Sequence, residues 1–150
     1  MVQGTKGGEV FLGEYKHTMD SKGRVVIPSK FRKELQQGCV VTKGLDNCLQ
    51  ILTKKNWNQE SEKMASLPST DKTSRQLRRA LFSGAVDSSL DSAGRIQIPE
   101  NLRMYSNIKE NDDVTVTGSG PVIEIWATKT WKKIQSDSDD AFANINEVKG

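Results

Sequence analysis

Two aspartate–arginine pairs are the residues of this chain whose types and spacing could do chemistry. Asp20 and Arg24 flank the sequence Ser-Lys-Gly, and Asp91 and Arg95 flank Ser-Ala-Gly at the same spacing. A planar guanidinium donates paired hydrogen bonds and keeps its charge, so such an arginine suits nucleic-acid recognition. The same pair can equally be a surface ion pair that closes a turn, a contact that contributes little to stability. Chemistry alone leaves both interpretations open.

The charges around these pairs are unequal. Residues 1–81 carry 15 Lys and Arg against 8 Asp and Glu, whereas residues 82–150 carry 7 against 11. Close to the pairs, residues 11–35 carry 6 basic and 3 acidic side chains, and residues 82–106 carry 2 and 3. The basic half is therefore the better candidate for a polyanion-binding face.

The composition argues against several other classes of protein. The chain has 150 residues with one His and two Cys, which predicts no metal site and no disulfide framework. No segment is apolar enough to span a bilayer and no signal-peptide pattern is present, so we expect a cytoplasmic protein without membrane association. Nucleophile elbows, phosphate-binding loops and dinucleotide fingerprints are missing from the sequence, so we expect no catalytic residue, no cofactor and no enzymatic activity.

An internal repeat determines the architecture that must position the two pairs. Residues 11–32 match residues 82–103 at a constant offset of 71, with nine of 22 positions identical. Further along, Gly44, Ile51, Lys55 and Trp57 match Gly118, Ile125, Lys129 and Trp131 at an offset of 74. The chain is two copies of one unit.

Each copy is predicted to contain a strand, a tight turn, a strand, a short helix, a hairpin and a further helix. We expect extended segments over 10–18 and 82–90, and Gly23 and Gly94 supply the positive φ that the turns need. Pro28 and Pro99 stand where the short helices begin. Further helices are expected over 56–64, 69–81 and 130–135, and the acidic segment 136–150 is expected to fray or stay disordered. Two half-units of this size would most simply pair within the chain as a pseudo-twofold β-barrel.

Three segments resemble the MraZ family. They are Gly13-Glu-Tyr-x-His-Thr-x-Asp20-x-Lys-Gly-Arg24-x-x-Ile-Pro28-x-x-Phe-Arg32, Asp91-x-x-Gly-Arg95-Ile-x-Ile-Pro99-x-x-Leu-Arg103 and Ile123-Glu-Ile-Trp126. The resemblance covers residues 8–133 and implies an α+β fold, in which two tandem AbrB-like repeats form a swapped-hairpin β-barrel with flanking helices. Its domains would be repeat 1 over 8–57, a helical connector over 58–81, repeat 2 over 82–133 and an acidic, flexible tail over 134–150.

The resemblance also implies a function. It implies a bacterial transcriptional regulator of the division and cell-wall gene cluster, bound to G-rich direct repeats in double-stranded DNA upstream of its own operon. The protein would act as a ring-shaped homo-oligomer associated with the nucleoid.

The residues of the motif carry over position by position. Arg24 and Arg95 match the arginine that reads DNA, and a guanidinium can donate two hydrogen bonds to guanine O6 and N7. Asp20 and Asp91, with Gly23 and Gly94, would support the two turns. The cations expected to meet phosphates around the first turn are Lys16, Lys22, Lys30, Arg32 and Lys33. Because Ala93, Glu100 and Asn101 replace cations or neutral residues of the first copy, we expect the first copy to make most of the DNA contacts.

A different class of function remains open at this point. Swapped-hairpin folds also serve as dimerisation units, so the chain could be a protein-assembly or antitoxin-like module that does not bind DNA. The three tryptophans follow the hairpins and are interpreted as core or interface residues rather than base-stacking platforms. His17 is interpreted as a hydrogen-bonded side chain near a strand end, with a phosphate contact as the alternative.

Overall fold

The computed structural model describes residues 10–145. Residues 8 and 9 of the predicted first repeat, and residues 146–150 of the predicted tail, lie outside the described residues. The first copy contains β1 (Glu14–Thr18), β2 (Arg24–Val26), α1 (Ser29–Arg32), β3 (Cys39–Lys43), β4 (Leu49–Thr53) and α2 (Lys54–Ala65). After α3 (Lys72–Gly84), the second copy contains β5 (Val86–Ser88), β6 (Arg95–Gln97), α4 (Glu100–Ser106), β7 (Asp113–Ser119), β8 (Val122–Ala127) and α5 (Thr128–Ala143).

Local signals in the sequence account for where the helices begin. Pro28 and Pro99 stand directly before α1 and α4, where a missing N–H leaves no intrahelical hydrogen bond unmade. Thr53 caps α2 by accepting a hydrogen bond from the Asn56 N–H at 3.1 Å, and Asp71 caps α3 by accepting one from the Ser74 N–H at 2.9 Å.

The two copies exchange strands. The larger sheet has the antiparallel order β1-β7-β8-β4-β3-β5, so the first strand of each copy pairs with the hairpin of the other. Register pairs run from Glu14↔Thr117 to Thr18↔Asp113 at one edge and from Cys39↔Ser88 to Val41↔Val86 at the other. Strands β2 and β6, one from each copy, form a separate two-stranded ribbon. Neither copy therefore completes its own sheet.

A single apolar core joins the two copies. It takes the central residues of the ribbon, Val25 and Ile96, the inward side chains of the large sheet and the apolar positions of α1 and α4. Matching repeat positions contribute to it in pairs, including Ile27 and Ile98 as well as Phe31 and Leu102, and all four side chains are buried. Full burial of one such side chain contributes roughly 1.5–3 kcal/mol, so the shared core holds the ribbon in place.

The prediction of an extended segment over 82–90 was wrong at its start. Helix α3 continues through Phe82, Ser83 and Gly84, and only Val86–Ser88 form a strand. The Phe82 ring packs edge-on against Trp57 of α2, with ring centroids 5.7 Å apart. The helix therefore continues beyond the predicted boundary, and its last turn packs against α2 through this contact.

Helix α5 is also longer than the 130–135 predicted, because it spans Thr128–Ala143. The expectation of a frayed, flexible tail over 134–150 is therefore wrong for residues 134–143, which are helical. The pairing of strands in residues 10–145 gives a six-stranded sheet with β1 and β5 at its edges, plus the ribbon, so the fold is mixed α+β and a closed barrel is not confirmed. Within the same residues, no helix has the length and apolar content needed to cross a membrane.

Candidate nucleic-acid interface

The first turn is built around the carboxylate of Asp20. Its Oδ1 accepts hydrogen bonds from the backbone N–H groups of Lys22 and Arg24, both at 2.9 Å, and its Oδ2 accepts one from Arg24 Nε at 2.8 Å. The backbone closes the turn, with the Gly23 N–H donating to the Asp20 carbonyl at 3.1 Å and the Asp20 N–H to the Arg24 carbonyl at 2.9 Å. Gly23 takes a φ of +78°, a conformation that L-residues adopt only with strain. The guanidinium is thus held through Nε, and within residues 10–145 its two terminal amino groups make no hydrogen bond.

The second turn repeats this geometry. Asp91 Oδ1 accepts from the N–H groups of Ala93 and Arg95 at 3.0 and 2.8 Å, and Oδ2 accepts from Arg95 Nε at 2.8 Å. Gly94 also has a φ of +78°. Each ion pair therefore closes its turn, as one of the two sequence interpretations predicts, and holds its arginine through Nε.

The hydrogen bonds keep both carboxylates charged. Desolvation raises the pKa of Asp20, but the N–H groups and guanidinium of Arg24 and the Lys22 N–H outweigh it and hold that pKa below its ordinary value. For Asp91, the backbone N–H of Arg95 is the main cause of a lowered pKa. At neutral pH each turn therefore holds an ionised carboxylate that is paired with a guanidinium.

Each turn is supported by the other copy. The Ile98 N–H donates to the Gly23 carbonyl, and the Ile27 N–H donates to the Gly94 carbonyl, both at 2.9 Å. Arg103 Nε donates to the Ile98 carbonyl at 3.0 Å and its guanidinium covers Gly23. In the same way Arg32 of α1 donates to the Ile27 carbonyl at 2.8 Å and covers Gly94.

Arg103 is a member of this surface that the sequence prediction missed. The signal was present, since Arg103 is the repeat counterpart of Arg32 and identical to it. Because the two copies exchange strands, each of these arginines lies over the turn of the other copy. Arg32 lies over Gly94 in the second turn, and Arg103 lies over Gly23 in the first turn.

The ribbon joins the two turns into one surface. Arg24 lies opposite Gln97 and Val26 opposite Arg95, while the central pair, Val25 and Ile96, is buried in the core. Because side chains alternate along a strand, the outer face of the ribbon carries Arg24, Val26, Arg95 and Gln97. Gln97 donates from Nε2 to the carbonyls of Lys22 at 2.8 Å and Gly23 at 3.4 Å. Nothing in the sequence pattern singled out Gln97, because its importance depends on the register of the ribbon.

The predicted phosphate-contacting cations are placed unevenly. Lys22 is exposed at the apex of the first turn, and Lys30 and Lys33 are exposed along and just after α1. Lys16 lies elsewhere: its Nζ contacts Glu14 Oε2 at 3.0 Å and Thr115 Oγ1 at 3.4 Å. Alternation along β1 puts it on the strand face opposite to His17, where its polar neighbours are Glu14 and Thr115.

His17 is partly buried, and the tryptophans pack against other aromatic rings of the protein. Burial is the main cause of a lowered pKa for His17, and the nearby charge of Arg32 adds to it. Trp126 packs on Trp131 with ring centroids 5.5 Å apart, and Trp57 packs on Phe82. In residues 10–145 no group of three or more His, Cys, Asp or Glu side chains is placed to hold a metal ion.

Comparison with known protein families connects this geometry to a group of proteins. Residues 10–80 and residues 81–148 each match the family described as "MraZ protein, putative antitoxin-like". The boundary between the two matches, at residues 80 and 81, lies near the C-terminal end of α3, which ends at Gly84. The two tandem repeats together account for nearly the whole chain, and the protein belongs to the MraZ family.

Proposed function

We propose that this protein is a sequence-specific, DNA-binding transcriptional regulator of the division and cell-wall gene cluster, which binds G-rich direct repeats upstream of its own operon. Membership in the MraZ family supports a regulatory and not an enzymatic role. The observation that carries the DNA proposal is the pair of matching turns, in which Asp20 and Asp91 hold Arg24 and Arg95 through Nε and leave the terminal amino groups free to donate.

The ribbon is a suitable shape for base recognition. A two-stranded antiparallel ribbon fits the major groove of B-form DNA, and an arginine there can donate two hydrogen bonds to guanine O6 and N7. Arg24 and Arg95 stand near opposite ends of the ribbon's outer face. The exposed Lys22, Lys30 and Lys33 and the half-buried Arg32 would meet phosphates and set the register of the protein on the duplex. Lys16 and its partner Glu14 would lie at the margin of this footprint.

A single small ribbon offers few contacts, so we propose that the protein binds several direct repeats as a ring-shaped homo-oligomer. We also propose that it acts in the cytoplasm, in association with the nucleoid. Once one subunit is bound, each further contact is intramolecular and adds affinity without a new type of interaction. The exchange of first strands between copies supports a swapped-hairpin arrangement of the AbrB-like kind. We further propose that repeat 1 (8–57), the connector (58–81) and repeat 2 (82–133) act together as one unit.

Fluorescence anisotropy tests the proposal. It compares binding to duplex DNA from directly upstream of the gene, which we call the operator, with binding to a scrambled duplex at two salt concentrations. Arg24→Ala should weaken operator binding by about 1–3 kcal/mol per engaged site, whereas Lys30→Ala should mainly lower the salt-dependent affinity for both duplexes. Arg24→Lys is the matched control, because it keeps the charge but cannot form the paired contact, and it should lose operator preference while retaining affinity for scrambled DNA. Equal losses on both duplexes for Arg24→Ala would refute base reading.

Probes with two and four repeats test the oligomer. Affinity should rise steeply with repeat number if several subunits bind together, and no rise would refute the avidity argument. Weak binding that ignores both sequence and the Arg24 substitutions would instead favour the protein-assembly or antitoxin-like module, a role that would use protein-binding surfaces and not the turns.

A further inference from the structure

Gln97 belongs to the second copy, yet its side chain holds the first turn. Its Nε2 donates to the Lys22 carbonyl at 2.8 Å and lies 3.4 Å from the Gly23 carbonyl, which also accepts a hydrogen bond from the Ile98 N–H. The backbone of Gln97 lies directly opposite Arg24 in the ribbon. The two carbonyls that Gln97 approaches therefore immediately precede the arginine proposed to read bases.

The second turn has no equivalent of this contact. The repeat counterpart of Gln97 is Val26, which lies opposite Arg95 and has no hydrogen-bond donor in its side chain. The hydrogen bonds between Asp91 and Arg95 otherwise match those between Asp20 and Arg24. The hydrogen bond from the Gln97 side chain to the Lys22 carbonyl, which we call the tether, thus distinguishes two turns that are alike in their own hydrogen bonds.

We infer that Gln97 is a positioning residue for Arg24, and that it makes the first turn the more selective of the two reading elements. This inference rests on the proposed function. The tether fixes the peptide planes on the N-terminal side of Arg24, while Asp20 fixes the Arg24 N–H and Nε from the other side. An arginine held in this way loses less conformational freedom when it binds, so the contact favours the one base edge that suits its geometry.

The exposure of Gln97 separates this role from a role in stability. The side chain is exposed, and it lies outside the buried core formed by Val25 and Ile96 beneath it. A hydrogen bond of this kind contributes little to folding. Removing it should therefore change recognition by the turn far more than it changes the stability of the protein.

The test compares Gln97→Met with a matched variant, Gln76→Met. Both replace an exposed glutamine by a side chain of similar length without the donor, and Gln76 lies in α3, away from the ribbon. In Gln97→Met we expect the ratio of operator to scrambled-DNA affinity to fall about two- to tenfold. The affinity for scrambled DNA and the melting temperature should stay at the values of the wild type and of Gln76→Met.

The reciprocal substitution tests the same idea in the other direction. Val26→Gln offers the second turn the missing tether, since Val26 stands opposite Arg95 as Gln97 stands opposite Arg24. Combined with Arg24→Ala, it should restore part of the lost operator preference, because Arg95 is then held as Arg24 was. An operator preference that is unchanged in Gln97→Met would overturn the inference, as would an equal loss on both duplexes accompanied by a lower melting temperature.

A measurement without DNA keeps this inference distinct from the proposed function. Nitrogen-15 relaxation of the Arg24 Nε–H group in the free protein should show greater mobility in Gln97→Met than in wild type or Gln76→Met. If wild-type protein showed no operator preference, the proposed function would fail while greater mobility in Gln97→Met would still establish the tether. Unchanged mobility of Arg24 would overturn the tether whatever the DNA result.

Discussion

The two aspartate–arginine turns have the same backbone and different surroundings. Every hydrogen bond that Asp20 makes within its turn is repeated by Asp91, within 0.2 Å. What differs is outside the motif: Lys22 corresponds to Ala93, and Gln97 serves the first turn where Val26 faces the second. The comparison teaches that the motif encodes the shape of the loop, whereas the charge at the apex and the contact from the opposite strand depend on residues that the motif does not specify.

A second pair of positions shows the limit of the repeat. Phe11 and Phe82 are identical and equivalent in sequence, but Phe11 bridges to Gly120 and packs edge-on against Phe31 at 5.2 Å, in the core. Phe82 lies in the last turn of helix α3 and is 38% exposed. Helix α3 packs against α2 and β3 of the first copy, so the two copies have unequal surroundings at this point.

The largest effect that separates the turns is expected from their glycines. At Gly94 a methyl group would overlap the guanidinium of Arg32, which would have to leave its hydrogen bond to the Ile27 carbonyl, whereas at Gly23 the nearest atom is Arg103 Cζ at 3.0 Å. Gly94→Ala should lower the free energy of unfolding by about 2–3 kcal/mol, and Gly23→Ala by roughly 1–2 kcal/mol. Urea unfolding measures both values.

Gly120→Ala is the control for backbone strain alone. Gly120 has a φ of +74° and no atom within 4 Å of an added methyl group, so its substitution should cost about 1 kcal/mol. If Gly94→Ala cost no more than Gly120→Ala, the close packing of Arg32 against the second turn would have no energetic weight, and the two turns would be equivalent in stability as well as in shape.

A smaller effect is expected from making the second turn resemble the first in charge. Ala93→Lys puts a cation at the position equivalent to Lys22, where the side chain is exposed. The affinity for scrambled DNA at low salt should rise by roughly 0.5–1 kcal/mol, and the plot of log affinity against log salt should steepen by about one phosphate contact. Lys22→Ala should produce the opposite changes.

Ala93→Gln, which adds length without charge, is the control for this substitution. A steeper salt dependence in Ala93→Gln would show that the effect is not electrostatic. An unchanged slope in Ala93→Lys would mean that the second turn does not approach the phosphates at all, and only the first turn would then need to face DNA.

Much of this arrangement could be predicted from sequence, because the local chemistry of the turns is encoded in a few residues. Gly23 and Gly94 at positive φ, and the carboxylates of Asp20 and Asp91 within reach of N–H groups, follow from the spacing Asp-Ser-x-Gly-Arg. The helix starts at Pro28 and Pro99 follow in the same way. These features depend on interactions within five residues, which a sequence displays directly.

The cross-copy contacts could not be predicted, because they depend on strand exchange and on register. Sequence proximity suggested that Arg32 would accompany Arg24, but the pairing of β2 with β6 places Arg103 and Gln97 there instead. Lys16 was expected at the turn for the same reason, and alternation along β1 places it on the face occupied by Glu14. A shift of one residue in the ribbon would put a residue other than Gln97 opposite Arg24.

The smallest expected effect is a pH dependence that belongs to the first copy alone. His17 is equivalent in the repeat to Ser88, and its pKa is lowered from 6.5, first by burial and then by the charge of Arg32. A lowered folded-state pKa means that the unfolded chain binds the proton more readily, so the free energy of unfolding falls as the pH drops below about 6.5. His17→Ser, which copies the second repeat, should remove this part of the pH dependence between pH 7 and 5.

Urea unfolding of both proteins at several pH values isolates the histidine. Glu124 has a pKa raised by burial and therefore contributes a slope of the opposite sign, but it is present in both proteins and cancels in the difference. The lowered pKa values of Asp20 and Asp91 affect stability only in more acidic solution, below their ordinary value of 3.8. If the free energies of unfolding of wild type and His17→Ser changed in parallel from pH 7 to 5, the pKa of His17 would be the same in the folded and unfolded states. This difference between the copies would then have no consequence for stability.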